Sequence, residues 1–322
     1  MSTGDLAPEP LEDSAGGADA GGADAGDSSG GSGLRAALAG LKYGARSALS
    51  RRAVQGAAVE LGWTTAHLAM YPLGLVRDGH HRAYRLNLDG LAPAQRGLLA
   101  KDVAAAATPI VLIHGIVDNH MIFALLRRHL LRRGFGQVRA FNYSPLTLDV
   151  RRTAERLGRE VEKLCEETGF ERIHVVGHSL GGLISRYYVQ RLGGDQRVHT
   201  LVTLGTPHSG TQTARLLPWP LVKQLRPDSE LMAELNEPAT GCRTRFLVFY
   251  SDIDQLIVPQ RRARLEHPDL SARNVRVRGV GHLSLPIDGD VVHQISTALS
   301  HLDEHGVPAT PEIPPRNSEK SS

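Results

Sequence analysis

The stretch Ile173-His174-Val175-Val176-Gly177-His178-Ser179-Leu180-Gly181-Gly182 runs from a β-branched segment through Gly-x-Ser-x-Gly into Leu183 to Val189, a helical pattern. Strand, tight turn and helix in that order predict a serine presented at a sharp corner of the chain. A residue in such a turn adopts a strained backbone conformation, so the positions two away from it must be small. Gly177 and Gly181 meet that need, because a side chain at either would collide with the strand or the helix. The helix starts beneath the serine, so its first amides and its dipole face any negative charge that develops there. Ser179 is therefore the candidate nucleophile.

Two further features stand where such a serine needs them. Upstream, Thr108-Pro109-Ile110-Val111-Leu112-Ile113 is a continuous apolar run, short enough to be a buried parallel strand. It ends in His114-Gly115-Ile116, followed by a polar loop and a helical pattern from Met121 to Arg133. Downstream, Arg245 to Tyr250 reads as a strand followed by Asp252 and Asp254 ahead of Ile257-Val258-Pro259. Val275 to Val280 reads as another strand ending at Gly281-His282. A hydroxyl, a carboxylate and an imidazole in that chain order supply nucleophile, orienting acid and general base. Leu180 follows the nucleophile and offers its amide to a developing oxyanion.

These segments resemble the bacterial esterases and lipases of the α/β-hydrolase superfamily, close to the triacylglycerol-lipase-like group. The residues that carry the resemblance are Ile113-His114-Gly115, Gly177 to Gly182, Val202-Thr203-Leu204-Gly205-Thr206-Pro207-His208-Ser209-Gly210, Asp254 with Ile257-Val258-Pro259, and Gly281-His282, together spanning roughly 108–303. The resemblance implies an α/β-hydrolase fold: a mostly parallel central sheet with helices on both faces and a small cap or lid. It implies a triad of Ser179, Asp254 and His282, an oxyanion hole of the Ile116 and Leu180 amides, and no metal or organic cofactor. Asp252 is the rival acid; members of the group place the acid just before an Ile-Val-Pro-like segment, which favours Asp254. Many relatives carry a Gly-rich strip after the first His-Gly, whereas Ile116 and Val117 follow it here, which favours a simpler oxyanion loop.

The implied reaction is cleavage of carboxylic esters through an acyl-serine, on small-molecule or lipid substrates. Acyl transfer to an alcohol by the same triad, and a non-catalytic binding module of the same fold, are the alternatives. The excursion at about 211–242 holds the apolar segment Leu216 to Val222, and relatives use this region as a cap. Leu217, Trp219 and Leu221 are expected to contact an acyl chain, with Phe123 and Met121 on the opposite wall. His208 either lines the pocket or caps a turn. His178 is expected to pack behind the turn, and His114 to support the oxyanion loop. No His-Glu-x-x-His or similar metal-ligand spacing appears.

Length and composition agree with one catalytic domain. The chain has 322 residues, enough for a core of roughly 200–250 residues with appendages. Residues 1–33 are Gly- and Ala-rich with seven acids and no Lys or Arg, and read as a disordered tail, as does 304–322. Removing those seven acids from the net charge of +3 leaves +10, spread over helix faces. No nucleic-acid motif accompanies it. Residues 34–107 read as a helical extension and linker. Within it, 34–78 joins a cationic, Ala-rich helix to an apolar run of roughly fourteen residues, too short for the ~20 that span a bilayer. Packing on the domain or peripheral membrane contact are both open to that segment. The acidic N-terminus lacks an apolar leader and two cysteines are too few for a disulfide framework, so a cytoplasmic location, free or peripheral to the membrane, is expected. Oligomeric state is not legible.

Overall fold

The computed structural model describes residues 103–300 apart from 117–119 and 144–148. Six strands form one sheet: β1 Ile110–Ile113, β2 Val138–Phe141, β3 Ile173–His178, β4 Val198–Leu204, β5 Arg245–Ser251 and β6 Ser271–Val277. Their order is β2-β1-β3-β4-β5-β6, and every neighbouring pair is parallel. The helices are α1 Val103–Ala107, α2 Ala124–Arg133, α3 Val150–Thr168, α4 Leu180–Arg191, α5 Pro220–Lys223, α6 Glu230–Asn236 and α7 Gly289–Ser300.

Strand periodicity divides the core into two layers. Val111 and Ile113 of β1 join Val175 and Leu201 in a cluster with Leu157, Val161 and Leu164 of α3 and Leu183 and Ile184 of α4. Ile110 and Leu112 face the other way, with Val176, Val202 and Phe249, against Leu126 and Leu130 of α2 and Val291, Ile295 and Leu299 of α7. A parallel strand buried on both faces has no solvent side: β1 is an unbroken apolar run, and the His and Thr side chains that interrupt β3 and β4 are buried as well.

α3 shows the local logic. Asp149 caps it by accepting from the Arg151 amide at 2.9 Å, and Gly169 ends it at φ 74° with its amide on the Cys165 carbonyl. Its buried Val150, Ala154, Leu157, Val161 and Leu164 follow helical spacing, so truncating Leu157 to Ala would cost about 2–5 kcal/mol. Cys165 is a buried free thiol.

Four boundaries differ from the sequence expectation. The last strand starts at Ser271 and ends at Val277, earlier than Val275–Val280, because it is an edge strand half exposed along its length and lacks an apolar signature. The pattern from Met121 resolves into a 3-10 turn, His120–Phe123, ahead of α2. The strand expected over Val138–Tyr143 stops at Phe141, and the helix expected over Leu148–Gly169 begins at Val150. The acidic tail, the 34–78 segment and the C-terminal tail lie outside the described residues. Among the described residues no helix is long and apolar enough to cross a membrane.

The amino end of the sheet carries an acid-sensitive feature. His174 of β3 is fully buried with neither ring nitrogen hydrogen-bonded, its ring edge-on to His199 at 5.4 Å. Burial, with the His199 and Arg172 charges, pulls its pKa down from 6.5 to about 3. Below pH 6.5 the unfolded chain binds a proton that the folded chain refuses, so stability falls as pH drops from 6.5 toward 3. His174→Leu should flatten that loss by up to about 1.4 kcal/mol per pH unit in urea titrations, with little change above pH 7. Parallel curves for the two proteins would contradict it.

Candidate active site

Ser179 sits between β3 and α4 at φ 53° and ψ −119°, the sole non-glycine residue with positive φ among the described residues. The tight corner is possible because its flanks lack side chains. A Cβ on Gly177 would lie 2.6 Å from the Gly182 backbone, and one on Gly181 would lie 2.2 Å from the Ile113 carbonyl oxygen. The Ser179 amide donates to Leu204 O at 2.8 Å, and the Thr206 hydroxyl donates to Ser179 O at 3.1 Å, fixing the turn to β4.

His282 and Asp254 meet at the same end of the sheet. Asp254 follows β5, and its Oδ2 lies 2.7 Å from His282 Nδ1; both side chains are buried. Its Oδ1 accepts from the Leu256 and Ile257 amides, each at 2.9 Å. Burial alone would push this carboxyl up. The His282 charge, the hydrogen bond from its ring and the two amides outweigh that and hold it below the ordinary carboxylate value. An ionised carboxylate only accepts, so Nδ1 carries the proton and Nε2 is the basic nitrogen of the ring. The ring lies against Gly205, where a Cβ would be 3.0 Å from Nδ1, and Gly205 follows the Leu204 carbonyl that holds the Ser179 amide. Serine and imidazole thus flank the tip of one strand.

Asp252 is elsewhere. Its side chain, 21% exposed, accepts from the Gly279 amide at 2.9 Å and pairs with Arg276 at 3.2 Å, bracing β6. Geometry puts Asp254 on the histidine. Of the two amides named for the oxyanion, Leu180 is the first residue of α4, whose N–H no intrahelical carbonyl can reach, and Ile116 follows the end of β1 beside the core.

The residues expected to touch substrate divide. Leu217 and Trp219 are 43% and 61% exposed, beside Leu216 at 79%. Leu256 and Val258 are exposed too, and the two segments are joined: Thr211 and Thr213 hydroxyls donate to Leu256 O, and the Gln212 amide donates to Val258 O. Phe123 and Leu221 are buried in the two core clusters. His208 is buried, with Nε2 3.0 Å from the Thr203 hydroxyl, and burial holds its pKa well below 6.5. Met121's side chain lies outside the described set.

Three supports have no periodic signal in the sequence. His178 Nε2 donates to the His282 carbonyl at 3.1 Å, with ring centroids 4.9 Å apart, so it braces the histidine loop as well as packing behind the turn. Arg186 of α4 is fully buried without a carboxylate partner. It donates to His208 O at 2.8 Å, Leu235 O at 2.7 Å and Gln190 Oε1 at 2.5 Å. Burial, with Arg191 nearby, lowers its pKa to about 9, so it stays protonated at neutral pH. Tyr143, after β2, bonds the carbonyls that precede Ile116. Among the described residues no group of three or more His, Cys, Asp or Glu side chains could hold a metal ion.

Comparison with known proteins agrees with this architecture. Residues 108–227 match the family model described as alpha/beta hydrolase fold. A triacylglycerol lipase of Burkholderia plantarii is 28% identical over 132 residues, 38% of this chain and 36% of that protein. One of Pseudarthrobacter phenanthrenivorans is 29% identical over 123 residues, 36% of this chain and 38% of that protein. The chain thus spans little more than a third of the length of these relatives. Among solved structures, Aspergillus fumigatus lipase B aligns with a TM-score of 0.56 at 16% identity, covering 63% of this chain and 54% of that one. A Bacillus licheniformis lipase in its mature form aligns at 0.51 and 18% identity, covering 61% and 92%. The described residues have the α/β-hydrolase fold, and part of the chain is similar to triacylglycerol lipases.

Proposed function

We propose that the protein is a serine hydrolase that cleaves carboxylic esters of moderate to long acyl chains. The observation that carries this reading is the buried Asp254–His282 pair, 2.7 Å apart, at the sheet end where Ser179 holds its strained turn. His282 Nε2 takes the hydroxyl proton as Ser179 attacks the acyl carbon, and Asp254 steadies the imidazolium that forms. The Ile116 and Leu180 amides bind the oxyanion, helped by the positive end of α4. Collapse expels the alcohol, which takes the proton from His282. A water then repeats the cycle on the acyl-serine and releases the acid. The exposed Leu216, Leu217 and Trp219, set beside Leu256 and Val258, form an apolar surface that an acyl chain would cover.

A fluorophosphonate should label the protein once, and Ser179→Ala should abolish labelling. Turnover of p-nitrophenyl esters should fall by roughly 10⁴–10⁶-fold in Ser179→Ala and His282→Ala. It should fall by about 10⁴-fold in Asp254→Asn, which leaves the imidazole in the wrong tautomer. Asp252→Asn should retain most of the rate, and a larger loss there than in Asp254→Asn would reverse the assignment of the acid. Added alcohol that diverts the acyl group into a new ester at the expense of acid would identify a transferase instead.

Leu217→Ser combined with Trp219→Ser should lower the long-chain to short-chain ratio of kcat/KM by about 10-fold, equivalent to 1.4 kcal/mol of lost apolar contact. An unchanged ratio would remove these residues from the acyl site.

A further inference from the structure

The peptide that carries one of the two oxyanion amides is held from behind. Tyr143 is buried at the end of β2, the strand beside β1. Its hydroxyl lies 2.9 Å from His114 O and 3.0 Å from Gly115 O, and it donates to both in a three-centre bond. The His114 ring stacks on the Tyr143 ring with centroids 4.3 Å apart and planes 5° from parallel. Its Nδ1 lies 2.9 Å from Gly115 O, and since that oxygen only accepts, Nδ1 is the donor. The Tyr143 amide, 3.5 Å from Nε2, suits the same tautomer. Two donors therefore converge on the Gly115 oxygen.

A trans peptide is planar, and its C=O and N–H point in opposite directions. Holding the Gly115 oxygen toward Tyr143 and His114 aims the Ile116 N–H away from them. Gly115 has no Cβ to restrict this peptide, so its plane has to be set by outside partners. The same strand end abuts the nucleophile turn, since a Cβ on Gly181 would lie 2.2 Å from Ile113 O and 2.5 Å from His114 O. The clamp and the turn are thus parts of one packed unit.

We propose that Tyr143 is a positioning residue. Its hydroxyl, with His114, sets the plane of the Gly115–Ile116 peptide and so aims the Ile116 amide at the oxygen that gains charge when Ser179 attacks. The proposal rests on the ester-hydrolase reading above. An oxyanion donor acts only in the transition state, where losing one outright costs about 10²–10³ in kcat; misaiming one should cost less, about 10–100-fold.

Tyr143→Phe keeps the ring stack and removes the hydroxyl alone. Its kcat on a short p-nitrophenyl ester should fall about 10–100-fold with KM within about twofold. A boronic acid, which forms a tetrahedral anion on the serine, should bind more weakly by the same factor as the loss in kcat. The matching primary alcohol, which carries no such charge, should bind as before. Urea melts report whether the variant folds. His114→Phe, which deletes the Nδ1 donor, should show the same split and decides the matter if Tyr143→Phe does not fold. Wild-type kcat and boronate affinity in a folded variant would overturn the proposal, as would a loss confined to KM. If the wild type takes neither ester nor fluorophosphonate, the hydrolase reading fails and this inference with it.

Discussion

The backbone of Ser179 is the constraint on which the carboxyl end of the sheet depends. A non-glycine residue at φ 53° costs on the order of 1–3 kcal/mol and persists only where its surroundings over-determine it. Here the main grip comes from the end of β4: Leu204 O accepts from the Ser179 amide, and Ser179 O accepts from the Thr206 hydroxyl just past the strand and from the Gly182 amide of α4. At about 1 kcal/mol net per bond these three offset the strain, with the bare backbones of Gly177 and Gly182 packed together behind them. Because the grip is on β4, the loop that leaves β4 is drawn to the turn, and the His282 ring fills the space over its Gly205. One strained residue thereby organises loops from three distant parts of the chain.

The same end of the molecule shows how a buried charge is made tolerable. Asp254 is almost wholly out of water, where an isolated carboxylate would take up a proton. Its two oxygens accept from donors: two backbone amides on one, an imidazole nitrogen on the other. That arrangement is satisfied only by the ionised form, and it dictates the proton's place on the histidine. The amides come from the turn that the aspartate itself begins, at the second and third residues after it, so local chain geometry supplies the solvation that water has lost. Asp252, two residues earlier, is partly in water with an arginine beside it and spends its charge on strand β6.

Much of this was legible in the chain, for identifiable reasons. β1 is buried on both faces and so writes itself as an apolar run, and β3 and β4 keep the apolar centres Val175-Val176 and Leu201-Val202; Gly177 and Gly181 mark a corner because nothing larger fits. The edge strand β6 starts four residues before the expected Val275, since Ser271-Ala272-Arg273-Asn274 carries no large apolar side chain to mark it. Between Asp252 and Asp254, which follow the same strand, the segment Ile257-Val258-Pro259 favours the second, and hydrogen-bond geometry separates them: Asp254 lies on His282 and Asp252 on Arg276. Leu221 and Phe123 read as wall residues on hydrophobicity alone, yet the fold buries them, because a sequence does not say which apolar side chains the core will claim. Tyr143 and Arg186, and the bracing part of His178's role, leave no sequence signal: each acts through a backbone carbonyl far along the chain, and a carbonyl has no letter in the sequence.

The excursion at about 211–242 divides in the same physical terms. Helix α6 is tied to the core by charged and neutral bonds at once. Arg151 makes a bidentate pair with Glu234, the Tyr187 hydroxyl donates to Glu234 at 2.8 Å, and buried Arg186 holds Leu235 O. The segment 211–219 is held differently, through Thr211, Gln212 and Thr213, to the carbonyls of Leu256 and Val258. Those residues belong to the turn whose amides at Leu256 and Ile257 hold Asp254. The exposed apolar surface around Leu217 and Trp219 therefore rests on the very residues that set the aspartate, and through it the imidazole. In the proposed reaction this couples acyl-chain contact to the orientation of the general base through a single five-residue loop, 254–258. A change that loosened the surface segment would reach the chemistry by that route, whereas one confined to the outer face of α6 would meet the Arg151 and Arg186 anchors first.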